Sequence, residues 1–213
     1  MDINALKNME PLFGSWFIDS MIGESQSSKV YRLRREKGDM LEYAVLKVIH
    51  IPAGQDDIAD ALSSGKYTSV KAFVDSYTSA AKAEAELLIR LKDNPNILSI
   101  YNYAVVPCEL PEIGCFFMLL TELLNPLSEG INAENADERT IVRIGIDICR
   151  ALEAIAACGT YHGEIKPENI FVDTNGNFKL GDFGFGREFT KQSMSSLSGY
   201  VSPEVYSGQP SSP

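Results

Sequence analysis

The sequence predicts an α+β fold of two lobes, and three observations carry that expectation. Short alternating apolar runs fill most of the first half, helical periodicity dominates the second, and a brief apolar segment at 123–128 joins them. With 213 residues, 45% hydrophobic and 23% charged, the chain has enough apolar surface for two small cores.

Residues 16–18, 30–33 and 43–49 read as three strands, with turns at 23–28 and 36–39. Residues 55–62 fit a short helix closed by Ser64 and Gly65. Over 69–91 a helical period takes over, with Val70, Phe73, Val74, Tyr77, Ala81, Leu88 and Leu91 on one face. Asn94-Pro95-Asn96 ends that helix, and two further strands follow at 100–106 and 115–121. In the second half Ile141, Ile144, Ile148, Leu152 and Ile155 recur in steps of three and four, so 137–158 is an amphipathic helix. Residues 170–172 and 178–180 form a hairpin across Asn175-Gly176-Asn177. The domain limits expected are an N-terminal extension (1–13), a first lobe with hinge (14–124), a helical lobe (125–206) and a low-complexity tail (207–213).

Acidic residues outnumber basic ones by 29 to 19, and the net charge of −10 argues against nucleic acid or an anionic membrane as the main partner. The N-terminus shows no basic segment followed by an apolar core, so no secretory signal is expected. The longest apolar run, 115–120, is far too short to span a bilayer. Cys108, Cys115, Cys149 and Cys158 lack metal-ligand spacing and read as reduced, partly buried thiols of a cytoplasmic protein.

The chemistry concentrates in YHGEIKPENIFV at 161–172 and GDFG at 181–184. These place Asn169 and Asp182 on either side of a short hairpin, each an oxygen donor suited to Mg²⁺. The two segments resemble the catalytic loop and DFG motif of protein kinases, H-R-D-x-x-x-x-N and D-F-G. The order of motifs is that of a bacterial Hanks-type serine/threonine protein kinase domain, with SPE at 202–204 in place of A-P-E. A small-molecule kinase of the aminoglycoside phosphotransferase type also carries His-Gly-Asp here, but Pro167-Glu168-Asn169, the intact DFG and SPE favour the protein-kinase branch.

The resemblance implies a two-lobed kinase fold that binds ATP and Mg²⁺, and it assigns roles. Lys47, in AVLK, corresponds to the lysine that pairs the ATP phosphates and a helix glutamate. A lone strand lysine also reads as an ordinary solvated charge; Glu84, inside the apolar stripe of the long helix, supplies the argument for a pair. Glu86 falls on the opposite face. The nucleotide lid is represented by Gly23, Ser25, Ser28 and Val30, with serines where the family has glycines. Thr121 corresponds to the gatekeeper, Glu122 and Leu124 to the hinge, and Ala44 and Phe171 to further nucleotide contacts. Lys166 is the residue expected to steady the γ-phosphate, and Asn169 and Asp182 the metal ligands.

The departures bear on turnover. Glu164 occupies the place of the catalytic Asp, one methylene longer, and Gly163 replaces the Arg that pairs a phosphorylated activation segment. Ser193, Ser195, Ser196 and Ser198 offer hydroxyls for phosphorylation, although a plain Ser-rich loop is the favoured account of them. The resemblance covers 14–206, short of the family's later helices, so Glu204 lacks its expected Arg partner and the 141–155 helix lacks a covering layer. The leading expectation is slow transfer of the ATP γ-phosphate to hydroxyls of an unidentified protein substrate. A catalytically impaired ATP-binding sensor or interaction module, and a truncated remnant, stand beside it.

Overall fold

The computed structural model describes residues 1–25, 27–63, 65–110, 113–131, 137–160, 162–181, Tyr200 and Pro203. Asp182, the Ser-rich stretch, Glu204 and the tail, all singled out above, lie outside the described residues. The chain divides into two compact units, Met1–Ile89 with Ile100–Leu123, and Arg90–Ser99 with Leu124–Pro213.

In the first unit a short helix, α1 (Ile3–Lys7), precedes strands β1 (Phe17–Glu24), β2 (Ser28–Lys37) and β3 (Met40–Ile51). Helices α2 (Gln55–Ser63) and α3 (Val70–Arg90) follow, then β4 (Ile100–Pro107) and β5 (Cys115–Glu122). The strands form one antiparallel sheet in the order β1-β2-β3-β5-β4. The strands outrun the sequence expectation: β1 carries Gly23 inside the strand, and only Gly38 and Asp39 separate β2 from β3. Gly38 sits at φ +61°, the left-handed geometry that a two-residue hairpin turn requires.

Strand alternation gives this sheet two faces with different partners. Ala44, Leu46 and Val48 of β3 point to one face, with their register neighbours Leu33, Tyr31, Leu120 and Met118. Leu6, Leu12 and Trp16 complete that core, so the N-terminal extension is a structural layer of the first unit. The layer is stitched down by the Glu10 carboxylate, which accepts from the Ile18 amide at 2.6 Å. Val45 and Lys47 point to the other face, which α3 meets through the Thr78 hydroxyl, 3.3 Å from Cys115 Sγ. Val74, Thr78, Ala81, Ala85 and Leu88 are the buried side of α3; Glu84 is half-buried among them.

The second unit contains β6 (Asn125–Pro126), α4 (Leu127–Gly130), α5 (Glu138–Ala156), β7 (Ile170–Val172) and β8 (Phe178–Leu180). The three strands pair in the order β6-β7-β8. Asp137 starts α5 as an N-cap, its carboxylate accepting from the Thr140 amide at 2.8 Å. Ile148, Ala151 and Ile155 are buried, whereas Ile141, Val142 and Ile146 are exposed. The expectation of partly buried cysteines is corrected at two positions: Cys149 and Cys158 are exposed, on α5 and just beyond it, while Cys115 is buried in β5. No helix among the described residues is long and apolar enough to cross a membrane.

The β7–β8 turn is built on Asp173. Its carboxylate accepts from the amides of Asn175 and Asn177, each at 2.8 Å, and from the Asn177 side chain at 2.9 Å. Burial pushes the Asp173 carboxyl up, but these hydrogen bonds together with Lys179 outweigh it and hold the group below the usual carboxylate range. A depressed folded-state pKa means stability that is present above about pH 4 and lost as the pH falls through the folded value. Asp173→Asn is therefore expected to flatten the acid limb of the stability curve below pH 4 while leaving the neutral limb nearly parallel. An acid limb unchanged in circular-dichroism titrations of both proteins contradicts this.

Candidate active site

The loop between α5 and β7 is organised by a hydrogen-bonded ring of short reach. Gly163 adopts φ +78°, a conformation that costs glycine nothing and an arginine about 1 kcal/mol or more. The absence of the expected Arg thus has a backbone reason. His162 is buried, and its Nδ1 accepts from the Glu164 amide at 3.2 Å. That leaves Nε2 as the protonated nitrogen, donating to the Gly181 carbonyl at 3.0 Å. Pro167 opens a single 3₁₀ turn, Pro167–Asn169, where its missing N–H is no loss.

Asn169 closes the ring. It is 2% exposed, and its Nδ2 donates to the Glu164 carbonyl at 2.8 Å. Its own carbonyl accepts from the Gly181 amide at 2.9 Å. Because the amide nitrogen is committed, the side-chain oxygen is the group left to face a cation, and oxygen is the donor that Mg²⁺ takes. Gly181, immediately before Asp182, has no room for a side chain: a Cβ there would meet Leu98 Cβ at 2.9 Å and Phe171 Cε2 at 3.1 Å. The structure therefore brings Glu164, Lys166, Asn169 and Phe171 together around the residue that precedes Asp182.

Glu164 and Lys166 form an ion pair, Oε1 to Nζ 2.5 Å, with side chains only 12% and 27% exposed. The longer glutamate reaches its own loop's lysine. The pair commits one carboxylate oxygen and satisfies part of the charge that Lys166 would offer a phosphate.

In the first unit, Lys47 stands half-buried on β3, in register with Val30 on one side and Leu119 on the other. Val45 shares its face; Ala44 does not, being fully buried in the core on the opposite face. Thr121 is buried at the end of β5, opposite Val45, and its hydroxyl donates to the Glu122 carbonyl at 3.1 Å. Glu122 and Leu124 are half-buried. Glu86, on the exposed side of α3, accepts from the Tyr103 hydroxyl at 2.7 Å.

The β1–β2 turn is closed by its serines. The hydroxyls of Ser25 and Ser28 lie 2.8 Å apart, the Ser28 amide donates to Ser25 Oγ at 3.1 Å, and the Ser25 amide donates to the Ser28 carbonyl at 2.8 Å. The amides of both residues are thus already used. Gly23 is under no such internal demand: a Cβ there would meet Val30 Cβ at 3.6 Å, an ordinary contact.

Two residues of the second unit have roles that the sequence reading did not give them. Asp147, buried within α5, accepts from the Phe178 amide at 3.2 Å and so fixes the start of β8. Asn96 is buried too; its Nδ2 donates to the Phe178 carbonyl at 3.0 Å and its carbonyl accepts from the Leu180 amide at 2.9 Å. Between them they hold the strand that leads to Gly181. The signal for Asp147 was a carboxylate inside an apolar stripe, the same signal that singled out Glu84.

A profile of the protein kinase domain matches residues 17–213. The chain belongs to the protein kinase domain family. Among similar proteins, serine/threonine-protein kinase GIN4 of Saccharomyces cerevisiae is 30% identical over 213 residues, covering 92% of this chain and 17% of that protein. Serine/threonine-protein kinase CBK1 of Pneumocystis carinii is 29% identical over 174 residues, 78% of this chain and 33% of that protein. CBL-interacting serine/threonine-protein kinase 24 of Arabidopsis thaliana is 30% identical over 131 residues, 57% of this chain and 28% of that protein. The chain spans a third or less of the length of these relatives. Family membership implies use of ATP, usually with Mg²⁺, and protein substrates.

Proposed function

We propose that the chain transfers the γ-phosphate of ATP to serine or threonine hydroxyls of a protein, slowly. The observation that carries this reading is the ring of His162, Glu164, Asn169 and Gly181, which gathers a carboxylate, a lysine and an amide side chain in the loop that leads to Gly181, the residue before the DFG motif in sequence. Glu164 would take the proton of the attacking hydroxyl, and Lys166 would offset charge on the transferred group. Lys47, positioned with Val45 and Val30 on one face of the sheet, would hold the phosphates, with Glu84 as its partner. Val45 takes the place first given to Ala44 among the adenine contacts, together with Thr121, Glu122, Leu124 and Phe171. Gly23, which nothing in the protein's own packing requires, fits a close approach of backbone to phosphate. Asn169 and Asp182 would hold Mg²⁺, which would neutralise phosphate charge.

Slowness follows from two features. The Glu164–Lys166 pair occupies groups that the reaction needs, and the serine-closed turn leaves fewer amides for phosphate. Calorimetric titration of Mg·ATP into the full chain tests the site. Saturable, Mg²⁺-dependent binding is expected, weakened at least about tenfold by Lys47→Ala and by Asp182→Ala. A folded chain that takes up no Mg·ATP, or one whose binding ignores both substitutions, overturns the proposal.

A further inference from the structure

We propose that the outer side of α5, beside the β7–β8 turn, is a docking groove for an acidic segment of a partner protein that carries an apolar anchor residue. The groove, of about 480 Å³, is an open one lined by the exposed side of α5 together with buried Asp147 and with Asn177 of the turn. Arg139, Arg143 and Arg150 recur along one stripe of α5, with Val142 and Ile146 next to them at 53% and 47% exposure and Asn177 of the turn as a further wall.

A run of exposed arginines on a helix is ordinarily a solvated face, and three observations argue for more. The guanidiniums are pre-placed without being consumed. Arg143 donates to Asn177 Oδ1 at 3.3 Å and approaches Asp147 at 3.9 Å, and Arg150 approaches Asp147 at 3.5 Å, yet the two side chains remain 53% and 66% exposed. Asp147 itself is buried and already accepts from the Phe178 amide, so its charge is shared inward. Arg139 has no hydrogen bond or ion pair among the described residues.

Secondly, the stripe runs against the whole-chain balance of −10, grouping three arginines in a chain that is acidic in sum. Even with Glu138 at the rim, the lining carries three guanidiniums against two carboxylates, one of them buried. Thirdly, cations flanking exposed Val142 and Ile146 match a segment that offers carboxylates on either side of an apolar residue, with bidentate arginine contacts setting its register. The groove lies wholly within the second unit, and none of the residues lining it is assigned to the nucleotide site.

The test is selection from a randomised twelve-residue peptide library on the full chain, with a counter-selection on the Arg139→Glu/Arg143→Glu double variant. Enriched peptides are expected to be acidic with a spaced Leu, Ile or Phe, and to bind the double variant at least about tenfold more weakly in fluorescence anisotropy. Arg139→Glu alone touches no internal contact of the described residues and keeps the test meaningful if the double variant is unstable; it should weaken binding severalfold. Raised salt should weaken binding as well. No enrichment, enrichment without acidic bias, or selected peptides that bind wild type and Arg139→Glu equally, each overturns the proposal. Mg·ATP titration of the same preparations separates this outcome from failure of the kinase reading.

Discussion

Glu164→Asp raises the rate of phosphotransfer to a peptide hydroxyl by roughly 10- to 100-fold. Glutamate's extra methylene carries its oxygens more than an ångström beyond where an aspartate would hold them, and here the surplus reach ends on Lys166 at 2.5 Å. A displacement of about 1 Å at a reacting group costs on the order of 10²-fold in rate. The shorter carboxylate withdraws from the lysine toward the backbone, where the His162 contact to the residue 164 amide and the Asn169 contact to its carbonyl already fix the loop. Both ring bonds use main-chain atoms of residue 164, so the substitution leaves them intact. The readout is steady-state turnover at saturating Mg·ATP, beside an affinity measurement. Unchanged turnover with unchanged affinity sinks the argument that the glutamate is the defect and moves attention to the serine-closed turn.

Asn169→Ala has the larger cost. The side chain is almost wholly buried, and its loss leaves the Glu164 carbonyl without its donor, about 1–3 kcal/mol for a buried polar group. It also removes an oxygen assigned to the metal, so turnover should fall by more than about 10²-fold. Asn169→Asp separates the two effects: it keeps oxygen donors but cannot donate to Glu164. Retained Mg²⁺-dependent turnover in a destabilised Asp variant is expected. If thermal midpoint and turnover are both unmoved in the Ala variant, the ring does not organise the site.

Much of this was legible in the chain. The short apolar runs of β3 and β5, and the three-and-four spacing in α3 and α5, are strong local signals, and the structure has them within a few residues of where they were expected. The identity of the catalytic loop was legible because its residues are contiguous. The rest depended on partners far along the chain. Asn96 read as a helix terminator, and its bond to Phe178 spans 82 positions. The serines of the β1–β2 turn were visible, but their mutual hydrogen bonds exist only in the observed register. That Val45 and not Ala44 shares the face of Lys47 is a matter of parity, since the strand's period of two assigns the lysine's face without further information. Residues 1–15 defeat pattern reading altogether: Leu6 and Leu12 follow neither a helical nor a strand period, and only the finished sheet shows what they cover with Trp16.

That covering layer divides labour between the two sides of one sheet. The side sealed by Leu6, Leu12 and Trp16 is finished by the chain's own first residues, whereas the side bearing Lys47 is met by α3. It follows that the packed unit of this chain is longer than its recognisable signature, which begins at residue 17. A graft, fusion or recombination event that respected only the signature would carry away a sheet with an unlined back, and sixteen residues without any chemistry of their own would decide whether it survived.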